Sequence, residues 1–454
     1  MTSNEPVPVW GRAPRRAVRD PLDGPSTADV VIVGGGFTGL WTAHHLSRRS
    51  TSRRIVVLEA EHVGFGASGR NGGWLFPGVP GNPHTFERSR GPGSAEAMEE
   101  AIVAAYRDVV TTIEANELDV DLVEGGQLSV ATNRAQLRRL RDQVAASSRS
   151  RLVELDGDSL SARVRVDGAI GATFDPLGAS VHPLELVTGL ADLVAHAGVV
   201  VHERSRATSI EPGRVLTERG SVDAPVIVRA TESYTGQFRD HRRTWMPLTS
   251  SMLLTAPLPD AAWDEIGWDR RELLGDGAHA YLYAQRTADG RIALGGRGVE
   301  YTFGSRIDPT PTISGGSSDR LRHALHALFP ATRSVAIDAS WSGTLAVPRD
   351  WCGGVGFDRR SGLGWAGGYV GHGVAASNLA GHTLADLIDG EVTGRTQLPW
   401  VDHVSRRWEP EPLRWLGVHG LYAAYRHSDR REAAGAPRTP RLGRLADRIS
   451  RRYD

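Results

Sequence analysis

The run ADVVIVGGGFTGL at Ala28–Leu40, followed by IVVLEA at Ile55–Ala60, constrains the fold more than any other part of the chain. It reads as a buried parallel strand, a glycine turn, a helix and a second strand ending in an acid. The glycines fall at Gly34, Gly36 and Gly39, a GxGxxG. Gly34 permits the tight turn, Gly36 admits a pyrophosphate against the backbone, and Gly39 lets helix and strand pack closely. The helix start, with Phe37 and Thr38, offers unpaired N–H groups and the positive end of its dipole to phosphate. Glu59 lies 20 residues beyond Gly39 (59 − 39), where this unit places a carboxylate for ribose hydroxyls, and Ala60 is next in the chain. A glycine motif alone is a weak signal. Strand, helix, second strand and terminal acid in register make it a dinucleotide site.

NAD and FAD share this unit, so the choice between them rests on two segments further along the chain. GFGASGRNGGW at Gly64–Trp74 is a loop of small residues directly after the acid, suited to backbone contact with a flavin and its phosphates. GGYVGHGVAASNLAG at Gly367–Gly381 is a glycine turn feeding a small-residue helix. A helix start aimed at the flavin pyrimidine would stabilise negative charge on the reduced ring.

These blocks together resemble the D-amino-acid oxidase, glycine oxidase and sarcosine oxidase superfamily. The GASGRNGG form is most similar to its gamma-glutamylputrescine oxidase-like branch. The resemblance extends in scattered blocks from about Ala28 to Gly390, through Val181–Ile210, Val226–Thr235 and Asp289–Gly298. It implies an α/β plus α+β architecture: a Rossmann-like FAD domain of the glutathione-reductase type, interleaved with an antiparallel-sheet substrate domain. The FAD domain is expected over 28–83, 181–235 and 341–400, and the substrate domain over 84–180 and 236–340. An N-terminal arm takes 1–27, with Trp10 as its anchor, and a helical tail takes 401–454. In the tail, Glu411–Arg426 is amphipathic, with Leu413, Leu416, Leu421, Tyr422 and Tyr425 on the expected apolar face. Pro77–Pro92 reads as a loop.

The resemblance also implies a set of FAD contacts. Beyond Gly34, Gly36, Phe37, Thr38, Gly39, Glu59 and Ala60 it includes Gly66, Ala67, Ser68, Arg70, Asn71, Gly72 and Gly73 of the small-residue loop. Ala207 falls at the adenine contact, Ala230 and Thr231 end the closing strand, and Gly343 and Gly368 approach the ring. Gly371, His372 and Gly373 start the late helix. Relatives with a histidyl-linked flavin have a histidine where Arg70 stands. Cysteine-linked relatives have theirs nearer Trp341–Gly343 than Cys352. The FAD is therefore expected to be noncovalent.

Arg297, His372 and Tyr301 are the candidates for the reacting centre. His372 serves as a flavin-facing residue beside the pyrimidine carbonyl rather than as a proton carrier. Arg297 stands near the lysine that helps sarcosine oxidases activate oxygen; the other reading is a structural ion pair. Trp74, Tyr281, Tyr283 and Trp341 are the substrate-side candidates, against a plain packing role for each. Tyr281 and Tyr283 share one face of a strand by parity.

The chain has 53 basic residues, and every one is arginine. The absence of lysine excludes a PLP Schiff base, a Walker-A lysine and a lysine nucleophile. Acidic residues also number 53 and no basic stripe is interleaved with aromatics, so nucleic acid is not an expected partner. The 16 histidines show no HExxH spacing, and no metal is expected. One cysteine, no apolar leader and no 18-residue apolar run point to a cytoplasmic protein without a membrane span. The expected activity is FAD-dependent oxidation of a C–N bond in an amine or amino acid to an imine, with O2 as acceptor giving H2O2. The alternatives are a dehydrogenase using another acceptor, a specialised biosynthetic flavoenzyme, a flavin-bearing docking protein and an NAD-dependent dehydrogenase. Composition leaves the oligomeric state open.

Overall fold

The computed structural model describes residue 10 and residues 19–146, 151–296, 300–310 and 312–450. Among these, two large sheets carry the architecture. The first runs in the order Gly354–Asp358, Leu363–Gly367, Val226–Arg229, Val30–Val33, Ile55–Leu58 and Val200–His202. All neighbours are parallel except the first pair. Every residue of Val30–Val33 and of Ile55–Leu58 is buried, as parallel strands covered on both faces require. Helix Phe37–Arg49 lies against helix Gly373–Asp389. A Cβ on Gly381 would come 2.6 Å from the Thr42 nitrogen, so glycine sets how closely the two helices approach.

The second sheet runs Ile337–Val347, Met246–Thr255, Ile292–Gly296, Leu282–Arg286, Leu273–Asp276, Gln127–Ala131, Gly171–Asp175 and Val153–Leu155. It is antiparallel apart from one pair. Leu273–Asp276 pairs in parallel with Gln127–Ala131, the one exception in an otherwise antiparallel sheet. A long excursion separates those two strands in sequence, and a parallel pair needs such a crossover. A Rossmann-like parallel layer interleaved with this sheet is the architecture the sequence implies.

Other boundaries move for reasons of packing. Gly24–Thr27, assigned to the arm, forms a strand parallel to Gly220–Asp223 in a smaller four-stranded sheet. Helix Ser94–Ala115, assigned to the substrate domain, buries Met98, Ile102, Tyr106 and Val109 in the same core as Val30, Ile32 and Trp41. Strand Ile337–Val347 begins before 341 and belongs wholly to the second sheet. Pro83–Arg90 is a helix within the expected loop, because Asn82 caps it by accepting the Thr85 amide at 3.1 Å and Pro83 suits its first turn. Trp10 is buried, 5.4 Å from the rings of Trp341 and His182. Among the described residues no helix is long and apolar enough to cross a membrane.

Candidate active site

A cavity of about 590 Å³ opens between the two sheets. One end lies at the carboxyl ends of three adjacent parallel strands and is lined by Val33, Gly34, Leu58, Glu59, Ala230 and Thr231. The connections run to opposite sides of Val30–Val33 at this point, which is where open α/β sheets bind ligands. The other end is floored by Ser250, Asp276, Leu282, Tyr283 and Gly296 of the second sheet.

The glycine turn is built as its spacing demands. Gly34 has φ +117°, and a Cβ there would meet the Ala230 carbonyl oxygen at 2.4 Å. Gly39 does not line the cavity; a Cβ on it would lie 2.0 Å from the Gly34 oxygen, so it serves the packing of helix on turn. Gly36 does line it, and a Cβ there would meet Ser68 Oγ at 2.8 Å. Ser68 Oγ accepts the Phe37 amide at 2.9 Å. The Glu59 carboxylate accepts the Gly35 amide at 2.7 Å and the Glu61 amide at 3.0 Å. Burial outweighs these donors and pushes its carboxyl up to about 7.

Ala60, Phe37, Thr38, Gly66, Ala67, Ser68, Arg70, Asn71, Gly72, Ala207 and Gly343 all lie along the cavity, as do Gly371, His372 and Gly373. The helix beginning at Gly373 has no side-chain cap, leaving its first amides directed at this end. His372 Nδ1 lies 3.1 Å from the Val79 oxygen, and its ring meets Phe76 edge-on at 5.4 Å. Arg70 is buried. It donates to the Pro309 oxygen at 3.4 Å and lies 4.4 Å over the Phe65 ring. Burial lowers its pKa, and among the described residues no carboxylate pairs with it.

Trp74, Tyr281 and Tyr283 also line the cavity. Trp74 meets Phe76 at 5.8 Å and Tyr283 at 6.1 Å, both edge-on, so Tyr283, Trp74, Phe76 and His372 form one continuous aromatic wall. The Tyr283 hydroxyl bonds Ser250 Oγ at 3.0 Å, and burial pushes it up to about 12.

Several expected residues lie elsewhere. Tyr301 is not at the cavity. It is buried beneath helix Leu413–Ala433, where its hydroxyl donates to the Glu411 carboxylate and bonds Ser305 Oγ at 3.0 Å. Trp341 is fully buried beside Trp10, and its indole N–H donates to the Arg70 carbonyl at 2.9 Å, so it supports the loop from behind. Gly73 does not line the cavity; with φ +67° it would press a Cβ to 2.0 Å from Gln285 Nε2. Gly368 shapes the late turn, with φ +78° and its amide given to Glu232 Oε2 at 2.8 Å. Arg297 lies outside the described residues. Cys352 is buried, off the cavity, and pushed up to about 12.

The sequence reading missed Glu232, which lines the cavity just after Ala230 and Thr231. Its carboxylate accepts the Gly368 amide and, at 3.4 Å, that of Ala346, joining three segments. Burial pushes it up to about 7. Its place one residue beyond a flagged pair was the available signal. Asp276, Phe76 and Tyr234 line the cavity too, with nothing in their spacing to mark them, as does Tyr422, which the tail's amphipathic pattern marked only as part of an apolar face.

These residues fit a flavin dinucleotide: a cradle that only glycine leaves open at Gly36, two helix starts facing one elongated cavity, and an acid at the ribose position. The comparisons agree. The model of the family described as FAD dependent oxidoreductase (DAO) matches residues 29–387. Gamma-glutamylputrescine oxidoreductase of Escherichia coli (strain K12) is 33% identical over 401 residues, covering 86% of this chain and 90% of that protein. The crystal structure of glycine oxidase from Geobacillus kaustophilus superposes with a TM-score of 0.69 at 20% identity, over 84% of this chain and all of that one. L-proline dehydrogenase from P. horikoshii gives 0.66 at 18% identity, over 83% and 98%. The chain therefore belongs to the DAO family of FAD-dependent oxidoreductases.

Proposed function

We propose that the chain binds FAD noncovalently and oxidises the C–N bond of a primary or secondary amine to an imine, passing the electrons to O2 to give H2O2. The observation that carries this reading is the wall of Tyr283, Trp74, Phe76 and His372 along the cavity, with Asp276 in the same lining. Aromatic faces and one carboxylate suit an amine-bearing aliphatic chain. The 33% relative is named for an amine of that kind. An amino acid remains within the same chemistry. Bound FAD supplies the two-electron acceptor. Glu59 would hold the ribose hydroxyls, the Gly36–Thr38 turn the pyrophosphate, and the amides at Gly373 the pyrimidine edge. The aromatic wall orients the amine and excludes water, and His372, with Nδ1 3.1 Å from the Val79 oxygen, takes a positioning part rather than a proton-carrying one. A cytoplasmic location belongs to this proposal and rests on the single, buried cysteine.

The absence of lysine favours a second reading, a dehydrogenase using a non-oxygen acceptor. One experiment separates the two. The purified yellow protein is titrated anaerobically with amines and amino acids, and air is then admitted. Bleaching by amines with rapid return of colour supports the oxidase, and slow return supports the dehydrogenase. A colourless protein that takes up no FAD sinks both.

A further inference from the structure

We propose that the C-terminal helical hairpin is the outer wall of the substrate end of the cavity, with Tyr422 as the residue that limits amine length. This rests on the amine reading above. Helices Leu413–Ala433 and Arg441–Ser450 lie beyond the residues matched by the family model. Yet Tyr422 lines the same cavity as Trp74 and Tyr283.

The hairpin is fastened beside the cavity through four of its residues. Asp429 accepts the His279 amide at 2.8 Å and the Ala280 amide at 3.0 Å, and both of those residues line the cavity. Buried Glu432 accepts two bonds from Arg139, at 2.8 and 2.7 Å, and lies 3.2 Å from His279 Nε2. The His279 ring stacks on Tyr425 at 5.4 Å and 10°. At the far end, Trp351, another lining residue, donates its indole N–H to the Ser450 oxygen at 2.9 Å.

The buried residues of the first helix are Arg414, Val418, Ala424, Tyr425, Ser428 and Glu432, while Leu413 and Leu416 are 61% and 56% exposed. A helix that merely covered a core would turn its leucines inward. This one combines apolar packing, Val418 against Tyr301 and Trp408 and Ala424 against Ala446, with polar ties from Asp429 and Glu432 to the cavity rim. Asp429 is a positioning residue for segment 277–281, and Tyr422 closes the space beside it.

The test uses the FAD-loaded full chain and the variants Tyr422→Ala, Tyr422→Trp and Asp429→Ala, with Leu416→Ser as an exposed-face control. Anaerobic flavin reduction is timed with n-butylamine, putrescine, N-acetylputrescine and gamma-glutamylputrescine. Tyr422→Ala is expected to raise the rate ratio of the longest amine to butylamine threefold or more, Tyr422→Trp to lower it, and Leu416→Ser to leave it unchanged. Ratios that stay constant along the ladder overturn the length role. Hydrogen exchange at residues 277–282 needs no substrate and is expected to quicken at least tenfold in Asp429→Ala. Unchanged exchange overturns the wall. If no amine reduces the native protein, the amine reading and the length limit fall together, and exchange alone decides whether the hairpin holds the rim.

Discussion

The Glu59 carboxylate accepts the Gly35 amide at 2.7 Å, so the acid that ends the second parallel strand is tied to the turn that ends the first. One side chain thereby holds the turn closed and faces the cavity with the rest of its acceptor capacity. Glu59→Ala is expected to weaken FAD binding about 10- to 100-fold, roughly 1.4–2.8 kcal/mol, by loss of charge-assisted hydrogen bonds. Burial pushes this carboxyl up to about 7 in the FAD-free protein. Ribose hydroxyls favour the ionised acceptor, so affinity should rise as pH increases through 7 and lose that dependence in Glu59→Gln. Titration of FAD-free protein with FAD at pH 6 and 8 checks both; unchanged affinity in Glu59→Ala removes the assignment.

Gly36 and Gly39 belong to one motif but do different work. A methyl on Gly39 would overlap the Gly34 oxygen at 2.0 Å, and backbone on both sides cannot yield. Gly39→Ala should therefore fail to give folded protein. A methyl on Gly36 meets only the Ser68 side chain, its hydroxyl at 2.8 Å, and that side chain can turn away. Gly36→Ala should fold with near-native circular dichroism and carry little flavin. A flavin-replete Gly36→Ala protein would show that the pyrophosphate does not pass there.

The glycine turn, the acid after the second strand and the small-residue loop beside the cavity were legible in the sequence because their geometry is local: each follows directly on a strand of the parallel sheet. Tyr301 and Trp341 were misread because their surroundings come from distant segments. Tyr301 is covered by a helix more than a hundred residues later, and Trp341 turns its indole toward the Arg70 carbonyl. Leu413 and Leu416 illustrate the same limit. An apolar pattern predicts the buried face only where apolar packing alone decides it, and here Val418, Ala424 and Tyr425 share the inward side with Glu432, tied to Arg139, and Asp429, tied to Ala280.

Three histidines join the two helices whose starts face the cavity. His45 stacks on His382 at 4.2 Å and 13°, with His44 at 5.3 Å from His45. Burial is the main cause that lowers all three, His44 to about 4, and Arg48, Arg49 and Arg395 add to it while Asp108 and Asp386 oppose. Folded values below the unfolded 6.5 mean that the neutral rings stabilise the fold fully above pH 6.5. That stability is lost as pH falls from 6.5 toward 4, on the order of 3 kcal/mol for His44 alone. Glu59 and Glu232, both raised to about 7, act with the opposite sign and favour the fold as pH drops through 7. The difference between the native protein and His45→Phe isolates His45 and its coupling to His44 and His382. The melting temperature of the native protein should fall more steeply between pH 6.5 and 4.5 than that of the variant, and flavin release should accompany it. Parallel curves would mean that the stacked rings do not titrate in this range.

Arg70 is a buried cation that among the described residues has a carbonyl, Pro309, and a ring, Phe65, for partners but no carboxylate. Such a charge costs stability in the FAD-free protein, which is why burial lowers its pKa. It is retained on the cavity wall, where added electrons would make the bound ring anionic and the cation favourable. Arg70→Met keeps an unbranched, shorter apolar stem and removes the charge. It should leave the FAD-free protein as stable as the native or more so, and lower the two-electron midpoint potential of the loaded protein by about 30 mV or more, equivalent to about 1.4 kcal/mol. Amine-driven reduction should slow in proportion. A dye-equilibrated redox titration reads the potential directly. If the potential is unchanged while stability falls, the guanidinium serves the packing of Phe65 and the Trp341-supported loop instead of the electronics of the cofactor.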